Sequence, residues 1–228
     1  MYLTYADWGS LTLTLELAAW TVAILLPLAL FIGRLLAFHS FRGKSWLEAA
    51  LATPLVLPPT VLGYYLLVVM GADGALGSAV RAWFGADLVF HFSGLVLASV
   101  LVNIPFAVQP IQRSFESIDQ EVRDAAACCG LGFWRRLRMV ELPLAWPGVL
   151  TGLVLTFAHT IGEFGVVLMV GGSIPGETKT VSIAIYDRVQ AFEFDVAGQM
   201  ALLLVVLSLA LLAVVGSLGR RERLQRIR

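Results

Sequence analysis

Five long apolar runs, 11–37, 46–70, 92–112, 146–170 and 196–218, alternate with segments where charge, Gly and Pro concentrate. Each run is long enough for a helix to cross the ~30 Å of hydrocarbon in a bilayer, tilted where it exceeds that length. Lipid offers no hydrogen bonds to an open backbone, so such runs fold as helices. The pattern predicts an all-α polytopic membrane protein with five spanning helices. A shorter stretch, 181–191, would add a surface or re-entrant helix as a sixth element. The segment 71–91 reads as a Gly-rich linker with Asp73, Arg81 and Asp87, and 171–195 as a second connection on the same side of the membrane.

Proline marks where these spans depart from regular helix. Pro27 predicts a kink within the first run, which a membrane helix tolerates. Pro54, Pro58 and Pro59 interrupt the second run, and Pro58-Pro59-Thr60 is hard to keep helical. Broken backbone at membrane depth survives only against protein or a water-filled cavity, so the second run should line a pathway or the subunit core.

Between the third and fourth runs lies a polar interruption, 117–143. Ser117 is placed to cap a short helix with Gln120 three residues on, and Gly130 to end it in a left-handed turn. Ile118, Val122, Ala125, Ala126 and Cys129 make one narrow stripe on that helix. Asp119, Glu121, Arg123 and Asp124 occupy the rest. A second amphipathic segment sets Phe133, Trp134, Leu137 and Met139 among Arg135, Arg136 and Arg138 until Pro143 is expected to break it.

Composition agrees with this picture. Of 228 residues, 58% are hydrophobic and only 14% charged, far more apolar than a water-soluble domain, and one polytopic domain is expected. The zero net charge becomes informative once divided by side. With 117–143 in the cytoplasm, Arg81, Lys179 and Arg188 face outward and the other thirteen Lys and Arg face inward. That bias predicts an outside N-terminus and a cytoplasmic C-terminus. Topology and headgroup contact by themselves account for Arg135, Arg136 and Arg138. Cys128 and Cys129 are adjacent and make no disulfide framework, as expected of small residues in a reducing compartment. Residues 1–10 lack the basic region of a cleavable signal peptide.

Chemistry is sparse within the spans. His159 and Glu163, four apart, share a helical face, and an ionisable Glu163 in lipid should face a cavity or a partner group. No further ligands accompany them, so no metal site is expected. Hydrogen bonding within the bundle is the better reading of the pair. Gly162 and Gly165 would let backbones approach closely. Thr60, Asn103, Thr151, Thr156, Thr160 and Ser208 are weak neutral groups, with no arginine expected to be buried in the spans. Hydroxyls of this kind bond their own helix more often than a ligand. An intramembrane hydrolase would need a nucleophile and base or an aspartate pair, but the spans hold no aspartate pair and His159 has no serine within a turn; for the ring of charge or carbonyls of a channel, only Glu163 is a candidate. No catalytic residues are expected. The chain also lacks the G-x-x-x-x-G-K-[ST] phosphate loop of an ATPase.

The run Asp124-Ala125-Ala126, then Gly130, then Leu142-Pro143, resembles the cytoplasmic loop of type I ABC importer permeases. The acidic position is more often Glu in that family. The resemblance implies that 117–143 is a coupling helix docked on a separate ATPase subunit, which would carry ATP and Mg, with no cofactor on this chain. Gly162-Glu163-Phe164-Gly165, followed by Ser173-Ile174-Pro175-Gly176-Glu177-Thr178-Lys179-Thr180, is similar to the permeases of molybdate and tungstate importers. The first four residues also occur in sulfate permeases, which leaves sulfate or another oxyanion as the alternative cargo. A membrane anchor or scaffold is the alternative outside transport, and it gives no reason for the loop. The resemblance implies one transmembrane domain over 1–228, its core about 10–218, with a basic cytoplasmic tail at 219–228. It further implies a second copy of the chain, a binding protein outside the bacterial inner membrane, and no nucleic acid.

Overall fold

A computed structural model of the chain describes residues 5–226, with side chains over 7–210 and at 213. The basic tail, 219–228, falls beyond the described side chains, and its last two residues lie outside the described residues. The fold is all-α. Helix α1 spans Tyr5–Phe38, α2 Lys44–Val56, α3 Pro59–Met70, α4 Ala75–Phe84 and α5 Phe92–Glu116. Then come α6 Gln120–Cys128, α7 Phe133–Arg136, a π-helical turn Leu137–Glu141, α8 Leu142–Gly162, α9 Gly165–Gly171, α10 Val181–Gln190 and α11 Phe194–Arg226.

Among the described residues, three stretches are long and apolar enough to cross a membrane: Asp7–Phe38, Phe92–Glu116 and Phe133–Gly162. The pair α2 and α3 passes the same test only jointly, bent by 112°, and α11 adds a shorter apolar stretch, Phe194–Ala210. The second run is therefore not a straight helix but an elbow, either a broken span or a re-entrant pair. Its cause is local: neither Pro58 nor Pro59 has an N–H to give, and each forces the residue before it into extended backbone. Leu57 (φ −77°, ψ 140°) and Pro58 (φ −57°, ψ 139°) adopt that conformation.

Helix α5 is the centre of the bundle, with 13 of its 25 residues buried. Its Val108, Ile111 and Phe115 pack against Leu25, Ala29 and Leu36 of α1 and Ala145 and Val149 of α8. Lipid tails are as apolar as these side chains, so close contact holds the helices together. At Gly148 a Cβ would lie 2.3 Å from the Ser114 Cβ and 2.5 Å from the Pro110 carbonyl oxygen. At Gly33 it would lie 3.0 Å from an Ile111 methyl. A second cluster, Met70, Leu88, Ala98, Val102, Val166 and Val170, joins α3, α5 and α9. A third brings Leu17, Leu95, Val167 and Ile183 together, so α10 packs on the bundle.

Three further expectations change. The linker 71–91 contains α4, an amphipathic helix ended by Gly85 at φ +66°, with Trp83 and Phe84 standing 85% and 79% exposed. Its signal was masked by Gly74 and Gly77, which mark the tight turn where α4 folds back on the end of α3. Of the two places expected for the elbow, the subunit core is the one that changes, since no residue of α2 is buried and in α3 only Gly63 and Met70 are; a place beside a pathway does not require burial. The fourth run is broken at Glu163 and Phe164, between α8 and α9.

Replacing Gly148 by Leu should force α5 and α8 apart and destabilise the folded chain by ~1–3 kcal/mol, as overpacking does. Gly198, with no atom within 4 Å of its Cβ position, should accept Ala without loss. Thermal unfolding of the two variants in mild detergent compares them directly.

Candidate functional site

Three polar constellations are set on this scaffold, one at the α5–α8 connection, one among the spans and one at the opposite end. The first is built by the interruption at 117–143. Helix α5 runs on to Glu116, which makes Ser117 its last-turn residue and not a cap for α6. The Ser117 hydroxyl donates back to the Ser114 carbonyl at 2.8 Å, and Asp119 takes the N-cap position without a side-chain bond. The end of α6 is as expected. Gly130 has φ +73°, its N–H donates to the Ala127 carbonyl, and the Leu131 N–H donates to the Ala126 carbonyl at 3.2 Å. These two bonds form the Schellman motif, whose left-handed residue is Gly because a Cβ is strained there. Only Ala126 of α6 is buried; Asp124, Ala125, Cys128 and Cys129 are exposed.

Pro143 does not break the second segment. It sits in the first turn of α8, and α7, the π turn and α8 run on as one helical stretch. In regular helix the Pro143 ring would clash with the Met139 carbonyl. The wider π turn before it, in which the Leu142 N–H reaches the Leu137 carbonyl, makes room.

Glu141 closes that π turn and is completely buried. The Arg34 guanidinium of α1 grips it from two sides, Nε at 2.6 Å and Nη2 at 3.2 Å. Arg136 Nε lies 3.2 Å and Arg123 Nε 3.6 Å from Oε1, the oxygen that Arg34 Nη2 also reaches, without aligned hydrogen bonds. Aromatic faces complete the cluster: Arg123 lies 3.5 Å from the Phe38 ring centre and Arg34 4.6 Å from that of Phe133. Arg34 is thus partly enclosed near the end of the first run, with its charge answered by Glu141. Sequence reasoning passed over Glu141. The available signal was a lone acid closing a stretch of three arginines, just before a helix that enters lipid.

Among the spans, His159 and Glu163 share a face as expected, but at 3.8 Å, Nε2 to Oε2, they bond other groups of the bundle and not each other. His159 Nδ1 lies 3.1 Å from Asn103 Oδ1, and Phe106 stacks on its ring at 4.0 Å. Asn103 donates to the Ser99 carbonyl, and Thr21 donates to the Ser99 hydroxyl at 2.9 Å. Buried polar groups therefore run from α1 through α5 to the end of α8. Glu163 ends α8 in extended backbone, and its Oε1 accepts the Val166 N–H of α9 at 3.1 Å. Gly165 makes a close approach, with a Cβ position 2.8 Å from the Pro59 Cβ; Gly162 has no atom within 4 Å. Thr60, beside that contact, is exposed at the start of α3. Thr151 and Thr160 bond their own helices, while the buried Thr156 hydroxyl has no hydrogen-bond partner. No group of three or more His, Cys, Asp or Glu among the described residues could hold a metal.

The third constellation explains the run 173–180. Thr178 is buried, donates to the Gly171 carbonyl at 2.6 Å and accepts the Ile174 N–H at 3.2 Å. Glu177 Oε1 accepts the Phe92 N–H at the start of α5, and Gly176 turns the chain at φ +80°. Arg188 of α10 pairs with Asp7 at 2.9 Å and with Glu193, and these hydrogen bonds, Glu193 foremost, raise its pKa above the ordinary value.

Residues 26–224 match the family described as the binding-protein-dependent transport system inner membrane component. The chain belongs to this family. Within it, the chain is 46% identical to the molybdenum transport system permease protein of Azotobacter vinelandii, over 88% of this chain and 89% of that one. It is 37% identical to the protein of the same name in Escherichia coli K12, over 94% and 93% of the two chains. A probable sulfate transport system permease of Chlorella vulgaris is more distant, at 30% over 88% and 76%. The fold matches that of a bacterial alginate ABC transporter crystallised with its pentasaccharide-bound periplasmic protein, with TM-score 0.76 at 16% identity, over 96% of this chain and 80% of that one. As a transport permease, the chain is a membrane subunit and not an anchor.

Thr178→Val should leave the Gly171 carbonyl and the Ile174 N–H unpaired and cost ~1–3 kcal/mol. Thr178→Ser should be near neutral. Melting temperatures of both variants in detergent provide the check.

Proposed function

We propose that this permease carries molybdate, with tungstate as a second substrate, into the cell across the bacterial inner membrane. The observation that carries the reading is its likeness, along most of its length, to molybdenum permeases, closer than to the sulfate permease. The chain would work as two copies with a pair of cytoplasmic ATPase subunits and an external binding protein that delivers the oxyanion. The absence of a phosphate loop from the sequence supports a separate motor. The thirteen-to-three division of basic residues supports a cytoplasmic α6 and C-terminus and an outer 173–180 turn.

In this reading α6 is the coupling helix. It offers the ATPase a small exposed surface, Asp124 and Ala125, ended sharply by Gly130, while Leu142 and Pro143 lead the push into α8. The bare elbow of α2 and α3 supports a second copy or a pathway against that face. Asn103, His159, Glu163 and Gly165 lie where α5, α8 and α9 meet, and Thr60 borders them on α3. The groups there are mostly neutral and bonded to one another. That supports brief passage of a tetrahedral dianion, with selection made by the binding protein.

Uptake of labelled molybdate by cells expressing the whole system, competed with tungstate and sulfate, tests the cargo. Tungstate should compete and sulfate should not; equal competition by sulfate would move the assignment to sulfate. Gly130→Val forces a β-branched residue into left-handed backbone at a cost of ~1–2 kcal/mol. It should uncouple ATP hydrolysis from uptake, as should replacement of Asp124 and Ala126 together, with membrane insertion unchanged. Full coupling in these variants, read as uptake per ATP, would count against α6 as the coupling helix.

A further inference from the structure

Helix α6 has almost no hydrophobic hold on the rest of the protein. Ala126 is its one buried residue, and the helix packs chiefly on α7 and the π turn. A part that receives force must nonetheless be fastened to what it moves, and four charged side chains do the fastening here. Arg123 comes from α6, Arg136 from α7, Arg34 from α1, and all three converge on Glu141 at the threshold of α8.

The contacts differ in kind. Arg34 is bidentate and partly enclosed, a geometry that fixes direction as well as distance. Arg123 and Arg136 are held by charge and, for Arg123, by the Phe38 face, and their Nε groups lack aligned hydrogen bonds. Charge attraction of that kind tolerates a change of angle that a bidentate bond does not. Phe38 also meets Phe115 edge-on at 5.7 Å, which carries the cluster to the inner end of α5.

We propose that Glu141 is the positioning residue that locks the cytoplasmic helix α6 to α1 and α8, with Arg34–Glu141 as the fixed pivot and Arg123 and Arg136 as the sliding contacts. The inference rests on the reading of α6 as the coupling helix. Displacement of α6 is then passed to α1 and α8 together, and from them to α5. Without the carboxylate, three guanidinium groups repel one another and the motor's stroke is spent in moving α6 alone.

The test uses the full complex of permease, ATPase and binding protein in liposomes, with oxyanion uptake and ATP hydrolysis measured on one preparation. Glu141→Gln keeps the shape and removes the charge. Arg34→Gln leaves Glu141 answered by Arg123 and Arg136, so it is the milder variant should the first fail to assemble. In both, the ATPase should co-purify and hydrolyse ATP, while uptake per ATP falls about tenfold, in the usual range of a coupling between sites. Arg34→Lys, which keeps the charge and loses the fork, should fall between Arg34→Gln and the wild type. An unchanged ratio in Arg34→Gln overturns the proposal, as does a fall in uptake matched by an equal fall in hydrolysis. Failure of the wild type to take up molybdate would remove the proposed cargo. The ratio, measured with whichever oxyanion the wild type carries, still judges Glu141.

Discussion

Close backbone contact around α5 is the constraint on which this structure depends. Hydrophobic burial drives little between helices that are all equally at home in lipid, so association rests on interlocking surfaces and on a few polar bonds. Gly33, Gly148 and Gly152 let α1 and α8 press against α5 closely enough for that. The chain of Thr21, Ser99, Asn103 and His159 adds directional bonds between the same three helices. With α5 gripped on two sides, the less buried elements, α2, α3 and α11, are left to the periphery of the protomer.

At the polar end the balance of forces reverses. There α6 has too little apolar surface to be held by packing, and a buried carboxylate ringed by guanidinium groups takes over. Removing one member of a buried ion pair costs ~3–5 kcal/mol, chiefly because the remaining charges lose their answer. Such a cluster is a poor source of net stability but a good source of fixed geometry, which suits a joint more than a core. The two ends of the molecule are therefore built on different principles, close steric fit within the spans and charge at the joint.

Much of this was legible in the sequence, and the misses have physical reasons. Run length revealed the three long spanning helices, because bilayer thickness imposes it, and Pro58-Pro59 revealed the break in the second run, because an absent N–H is visible in one letter. Gly130 was legible for the same reason: its role is purely local, with nothing near its Cβ position. The break at Glu163 was not, since no proline marks it; it is stabilised by the Glu163 carboxylate bonding the Val166 N–H and by Gly165 meeting Pro59 across the fold. Glu141 was missed because its principal partner is 107 residues away. Ser117 was misassigned because α5 extends to Glu116 and claims that residue for its own end.

The small helix α4 has a consequence of its own. Trp83 and Phe84 stand bare next to the Arg81–Asp87 pair, a combination of ring and charge that settles at the headgroup layer and resists being pulled to either side. A tight turn joins α4 to the end of α3, so a helix anchored at that layer would fix the depth of α3 as well. A thicker or thinner bilayer would then be felt at the elbow, at the other end of α3, as a change in how far the two arms open.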